Sequence, residues 1–114
     1  MKIKYSKIIP FKGFYAINLF GTLFIREEYK EQPISETTLN HESIHTEQMK
    51  ELGYIFFYIW YVIEWFIKLF TTKNAYKSIS FEREAYGNER NLLYLEKRKK
   101  YAWFKYMSNK YYKK

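Results

Sequence analysis

A continuous apolar and aromatic stretch, YIFFYIWYVIEWFIKLF at residues 54–70, constrains the fold more than any other part of the sequence. A helix that crosses a bilayer needs about 20 predominantly apolar residues, whereas runs of about 10–14 are more often buried core helices or interfacial segments. Here the uncharged run ends at Ile63, before Glu64 and Lys68. We therefore expect a central packed helix, with an interfacial helix as the second alternative and a membrane span as the third.

The rest of the chain indicates a single small domain of the α+β class, mainly helical. Its 114 residues suit one domain with one core. Residues 1–37 are expected to form strands and a loop, and the β-rich segments 14–18 and 23–26 predict a short antiparallel sheet. The elements predicted after them are helices at 38–52, 54–70 and 79–97 and a basic C-terminal segment at 101–114.

Helix ends are marked by residues that satisfy free backbone groups or break the helix. Ser35, Thr37 and Thr38 are N-cap candidates for the helix at 38–52, and Gly53 is a plausible break after it. Ser78 or Ser80 is expected to cap the helix at 79–97.

Charge is concentrated at the two ends of the chain. The net charge is +8, residues 1–12 carry four Lys, and residues 97–114 carry eight Lys or Arg, with no acidic residue in either segment. Solvated, solubilising termini are the first interpretation, and contact with an anionic membrane surface is the alternative. Nucleic-acid binding is not expected, because no recognition motif accompanies the charge.

No cleavable signal peptide is recognisable, so a cytoplasmic or membrane-peripheral location is expected.

The motif that carries chemistry is His41-Glu42-Ser43-Ile44-His45, an H-E-x-x-H sequence on a predicted helix. Residues four apart lie on one helix face, so both imidazoles can reach one metal ion. Glu42 follows the first His and sits where it can accept a proton from metal-activated water. In a chain of this composition the pattern arises by chance in roughly one case in 500.

Composition narrows the third metal ligand. A catalytic zinc site has three protein ligands and an open position for water. The chain has no Cys, no Asp and only the two His of the motif, so the third ligand is a Glu unless the site is incomplete. Glu64 is better explained by an ion pair with Lys68, four residues later. The helix at 79–97 leaves Glu82 and Glu84 open, on faces about 200° apart. The candidates downstream of the motif on another helix are Glu64, Glu82, Glu84, Glu89 and Glu96.

The motif and the segment FEREAY at 81–86 together resemble the gluzincins, zinc peptidases with two His from H-E-x-x-H and a Glu on a later helix. The segment looks like the F-E-x-x-A-D sequence of CAAX-type and heat-shock zinc peptidases, which implies that Glu82 is the ligand. Tyr86 stands where that family has Asp, so Tyr86 or Glu89 is expected to orient the ligands instead. In size and element plan the chain is similar to the minigluzincins, which implies a minimal zincin-like fold.

The resemblance implies a zinc-dependent peptide hydrolase with zinc on His41, His45 and Glu82 and with Glu42 as general base. The segment 16–25 stands where zincins have the edge strand that aligns a peptide or protein substrate; a strand that simply completes the sheet is the alternative. Candidates for oxyanion stabilisation are Tyr86, Arg83 and Arg90, by proximity in sequence only.

The competing hypothesis is a latent or inactive zincin-like binding or regulatory module at a membrane surface, with residues 101–114 covering the cleft.

Overall fold

A computed structural model describes residues 1–107 of the chain and has the α+β, mainly helical architecture expected from the sequence. Strands β1 (Lys2–Ser6), β2 (Ala16–Leu19) and β3 (Thr22–Arg26) form one sheet in the order β1-β3-β2. The strands are followed by a 3₁₀ turn and five α-helices.

The sheet is mixed rather than wholly antiparallel, which corrects the expectation. β2 and β3 form an antiparallel hairpin whose two-residue turn, Phe20 and Gly21, has φ values of 54° and 89°. β1, however, pairs parallel to β3. Residues 7–15 form a loop that carries the chain to the other side of β3, and the Arg26 guanidinium holds this loop by donating to the carbonyl oxygens of Lys7 and Pro10 at 2.8 and 3.2 Å.

Helix α1 (Glu36–Glu51) begins and ends where the sequence indicates. The Ser35 hydroxyl accepts a hydrogen bond from the Thr38 N–H at 3.1 Å, which satisfies one free donor of the first turn. Gly53, at φ +66°, follows the helix in the left-handed conformation that glycine adopts without strain. α1 buries Ile44 and Met49 on its inner side.

Helix α2 (Ile55–Thr71) has the predicted length, but the expectation that it is packed in the centre of the protein is wrong. Only Phe57 and Glu64 of its 17 residues are buried. Glu64 is not paired with Lys68 within the described chain; it accepts hydrogen bonds from Ser80 and Trp60. By length and hydropathy no single helix among residues 1–107 suffices to cross a membrane, although α1 and α2, bent by 110°, pass that test as a pair.

The single helix expected over 79–97 is two helices, α4 (Ser80–Asn88) and α5 (Tyr94–Lys97), preceded by the short α3 (Ala75–Ser78). The Asn40 amide, on α1, donates to three carbonyl oxygens at the break, those of Asn88, Glu89 and Asn91, at 3.2, 2.8 and 3.0 Å. These contacts satisfy carbonyl groups that a continuing helix would bond to its own N–H groups. Neither Ser78 nor Ser80 caps α4, whose N-cap position is Ile79.

The core gathers side chains from α1, α2, α4 and the C-terminal segment. Phe81 on α4 is fully buried, and its ring centroid lies 4.6 Å from that of Phe57 and 4.9 Å from that of Trp103. Trp103 belongs to a 3₁₀ helix, Ala102–Met107, so the C-terminal segment contributes one side chain to the core. This packing sets α4 against α1, and the candidate site lies between these two helices.

Candidate metal centre

The two histidines of the motif converge inside the protein. His41 and His45 lie one turn apart on α1 and are only 7% and 5% exposed. Their Nε2 atoms are 3.2 Å apart. Two imidazole nitrogens at this separation need a shared proton or a shared cation between them, since two lone pairs that face each other repel.

Glu82, on α4, completes the group. Its Oε1 lies 3.2 Å from His41 Nε2 and 3.0 Å from His45 Nε2, and it is 4% exposed. A tetrahedral zinc site with bonds of about 2.0–2.1 Å has edges of about 3.3–3.4 Å, so three ligand atoms at these separations need to move by only a few tenths of an ångström. His41, His45 and Glu82 therefore form a buried group that can hold a metal ion.

Electrostatics couples the three groups strongly. Burial on its own would lower the pKa of His45, but the charge and hydrogen bond of Glu82 outweigh burial and raise it to about 9. Burial likewise opposes ionisation of Glu82, yet the two histidines hold its pKa well below its usual range. Without a metal, His45 is thus protonated at neutral pH. The negative charge of Glu82 balances this proton, as it would balance the charge of a bound metal ion.

Each ligand is oriented by a second hydrogen bond on its far side. His41 Nδ1 lies 2.8 Å from Glu89 Oε1, and His45 Nδ1 lies 2.8 Å from Gln48 Oε1. When both rings are neutral, an Nδ1–H donated to these oxygens leaves the Nε2 lone pair of each ring directed at the shared point. The Tyr61 hydroxyl donates to Glu82 Oε2 at 2.8 Å, so Oε1 remains for the ion.

The structure separates Glu82 from Glu84. Glu84 is fully buried on the far side of α4, where it accepts hydrogen bonds from Tyr94 Oη at 2.6 Å and from the Arg98 guanidinium. Arg98 also forms an ion pair with Glu51 at 2.8 Å. Glu84 therefore balances a buried cation and takes no part in the histidine cluster, although Gln48 Nε2 donates to it at 3.0 Å.

The other candidate ligands lie elsewhere. Glu64 binds the first turn of α4, and Glu89 contacts the outer nitrogen of His41 rather than the shared point. Glu96 is exposed on α5.

A cleft of about 290 Å³ opens onto the cluster. Its walls are β2 on one side and the aromatic inner side of α2 on the other, and Glu42, His45 and Glu82 lie along it. The Asn18 amide ties β2 to α1, because it donates to Glu42 O at 3.0 Å and to Thr46 Oγ1 at 3.2 Å. The structure thus brings Glu42, His45, Glu82 and an outer strand of the sheet to the same cleft.

The predicted supporting residues have mixed outcomes. Glu89 contacts His41, as predicted for a residue that orients a ligand, and the Tyr86 ring packs edge-on against His41 with centroids 4.6 Å apart. Arg83 is buried on α4 and Arg90 is exposed; neither they nor Tyr86 are among the described residues that line the cleft.

Three further residues at the site were not found from the sequence. Gln48 lies three residues after His45 on the same helix, and this spacing could have identified it. Tyr61 and Tyr76 come from α2 and α3, and no local pattern marks them out from the eleven other tyrosines. Both line the cleft together with Glu82.

The C-terminal segment was a candidate cover for the cleft. None of residues 101–107 lines the cleft, and Trp103 is instead a core residue. Residues 108–114, the rest of that segment, lie outside the described residues.

Comparison of the chain with protein-family models, with curated protein sequences and with solved structures finds no match. The chemistry of the cleft is therefore the basis for assigning a function.

Proposed function

We propose that this protein is a zinc-dependent peptide hydrolase whose active site is the cleft between β2 and α2. The observation that carries the proposal is the convergence of His41, His45 and Glu82 on one point, beside a cleft that is lined by His45, Glu82 and Glu42. Two imidazoles and one carboxylate are a donor set of catalytic zinc sites, which keep a fourth position open.

Zinc held by this triad would lower the pKa of a water molecule towards about 7 and polarise a substrate carbonyl. The protein's own groups supply the rest. Glu42 accepts the proton of the attacking water and returns it to the leaving amine. Tyr76 lines the cleft, and its hydroxyl is protonated at neutral pH because burial and the charge of Glu82 raise its pKa further above the ordinary value of 10, so it can donate to the developing oxyanion.

β2 gives the substrate a place to bind. It is the outer strand of the sheet, and residues 16–19 all line the cleft. An extended peptide that adds to this strand binds through its backbone, which gives affinity with little choice of sequence. The opposite wall contains Phe57, Tyr58 and Tyr61, so apolar side chains are the expected preference.

The test is Glu42→Gln, assayed with a mixture of fluorogenic peptides at saturating zinc. The variant should bind zinc as the wild type does and lose turnover by at least about a hundredfold, since general-base catalysis contributes roughly 10²–10⁴. Glu47→Gln is the matched control, because it makes the same change on the same helix at a residue whose side chain is 44% exposed and pairs with Lys50.

Turnover of Glu42→Gln equal to that of the control would contradict the mechanism. If the zinc-loaded wild type cleaves no peptide, the second candidate function gains support, a metal-stabilised binding module without hydrolytic activity. The observation that favours this second candidate is the large exposed apolar side of α2.

A further inference from the structure

Helix α2 has an outward side made only of apolar residues. Around the helix axis, at about 100° per residue, the residues farthest from the buried Phe57 and Glu64 are all aliphatic or aromatic. They are between 45% and 77% exposed, and they include Ile55, Ile59, Val62, Ile63, Phe66 and Phe70. The two charged residues of α2, Glu64 and Lys68, lie on the other side, buried and half-buried respectively.

This surface is a continuous row of exposed apolar side chains along one side of a helix, whereas exposed apolar residues that are scattered singly are normal on a soluble protein. Continuous exposed apolar patches mark interaction sites.

The charges around this side favour a negatively charged partner. Between Glu64 and Glu82 the chain has three Lys and no acidic residue, and Lys73 and Lys77, just beyond the end of α2, are exposed. The net charge of +8 opposes association of two copies through the same surface. An anionic lipid surface matches both the apolar side of α2 and the Lys residues beyond its end. Apolar side chains insert below the lipid headgroups, and the negatively charged headgroups attract Lys.

We infer that the protein docks on anionic membranes through the outward side of α2, with the helix lying in the plane of the interface. This docking goes beyond the proposed hydrolysis and does not depend on it. The inner side of α2 contributes Phe57, Tyr58 and Tyr61 to the cleft, so docking holds the cleft beside the lipid surface.

Co-flotation of the full chain with vesicles tests the inference. One set contains equal parts of phosphatidylcholine and phosphatidylglycerol, and the other contains phosphatidylcholine alone. The chain should float with the anionic vesicles, bind the neutral ones far more weakly, and detach progressively as salt is added. Equal binding to both sets of vesicles, or binding that does not change with salt, would contradict the inference that the partner is an anionic membrane.

A double variant identifies the docking surface. Ile63→Gln with Phe66→Gln changes two residues that are 56% and 58% exposed and should weaken vesicle binding at least about tenfold. Leu92→Gln with Leu93→Gln is the control, since these residues are 51% and 57% exposed outside α2. Circular dichroism confirms that both variants are folded. Equal losses in the two variants, or a stable wild-type dimer that ignores vesicles and dissociates in the α2 variant, would overturn the inference.

Discussion

Proton and metal compete for His45. The imidazole lies between Glu82 and Gln48, and its pKa is raised to about 9 in the metal-free protein. Metal binding needs the neutral ring, so uptake of an ion below that pH must release a proton. The same residue therefore links the protonation state of the folded chain to its affinity for an ion.

This linkage predicts a pH dependence of metal affinity. Between about pH 6 and pH 8 the apparent zinc affinity should rise roughly tenfold per pH unit, because the proton to be displaced stays bound until the pH reaches the folded pKa. Competition titrations with a chromophoric chelator, corrected for its own protonation, measure this slope. An affinity that does not change over this range would show that His45 is already neutral.

The same shift affects the stability of the metal-free protein. A pKa raised from 6.5 to about 9 contributes stability that is fully present below the unfolded value and is lost as pH rises through the folded value. Glu82 has the opposite sign, since its lowered pKa contributes stability above its unfolded value that is lost in acid. The pair thus stabilises the metal-free chain most in mildly acidic solution.

At the scale of elements, the first turn of α4 depends on a residue of α2. Glu64 accepts the Ser80 N–H at 2.7 Å and the Ser80 hydroxyl at 2.6 Å, and the Trp60 indole N–H at 2.9 Å. A carboxylate at this position satisfies a free N–H of the helix start and lies at the positive end of its dipole. Since α4 carries Glu82, this contact helps to position a candidate metal ligand.

Glu64→Gln should lower the free energy of unfolding of the metal-free protein by about 1–2 kcal/mol, because it replaces charge-assisted hydrogen bonds by neutral ones. Urea denaturation measures the change. Glu96→Gln, at an exposed position on α5, is the matched control and should change stability by less than about 0.5 kcal/mol. Equal stability of the two variants would contradict the role of Glu64 at the start of α4.

The lengths of α1 and α2 could be predicted from caps, breaks and hydrophobicity, but the surroundings of α2 could not. A helix that is apolar on all sides normally indicates burial. Here the other elements among residues 1–107 leave all but two residues of this 17-residue helix exposed or only partly buried. The end of α4 could not be predicted from the sequence either. Asn40, whose amide donates to the carbonyl oxygens at this break, lies about 50 residues earlier in the chain.

At the scale of the whole molecule, the candidate site joins elements that are distant in sequence. His45 and Glu82 are 37 residues apart, and Phe81, next to Glu82, is at the centre of the core. The two histidines could be identified from their spacing alone, and the role predicted for Glu42 stays a prediction. The residue types present in the chain indicate that the third ligand is a Glu, but they do not say which one. Only the packing shows that Glu84 accepts hydrogen bonds from Arg98 and Tyr94. Glu82 therefore remains as the Glu beside the histidines.

An ion bound by this triad would link α1 to α4 and stabilise the folded chain in proportion to its affinity. Binding at a hundredfold excess over the dissociation constant contributes about 2.7 kcal/mol. This stabilisation requires all three ligands, because among residues 1–107 the group contains no fourth His, Cys, Asp or Glu.

The most direct test of the metal centre is the zinc content of the purified full chain, measured by elemental analysis after dialysis against a weak chelator. About one zinc ion per chain is expected for the wild type and for the control Glu96→Gln, and almost none for Glu82→Gln, since a catalytic-type site needs its three protein ligands. A wild-type chain that retains no zinc, or a Glu82→Gln chain that retains as much as the wild type, would contradict a zinc site built from His41, His45 and Glu82.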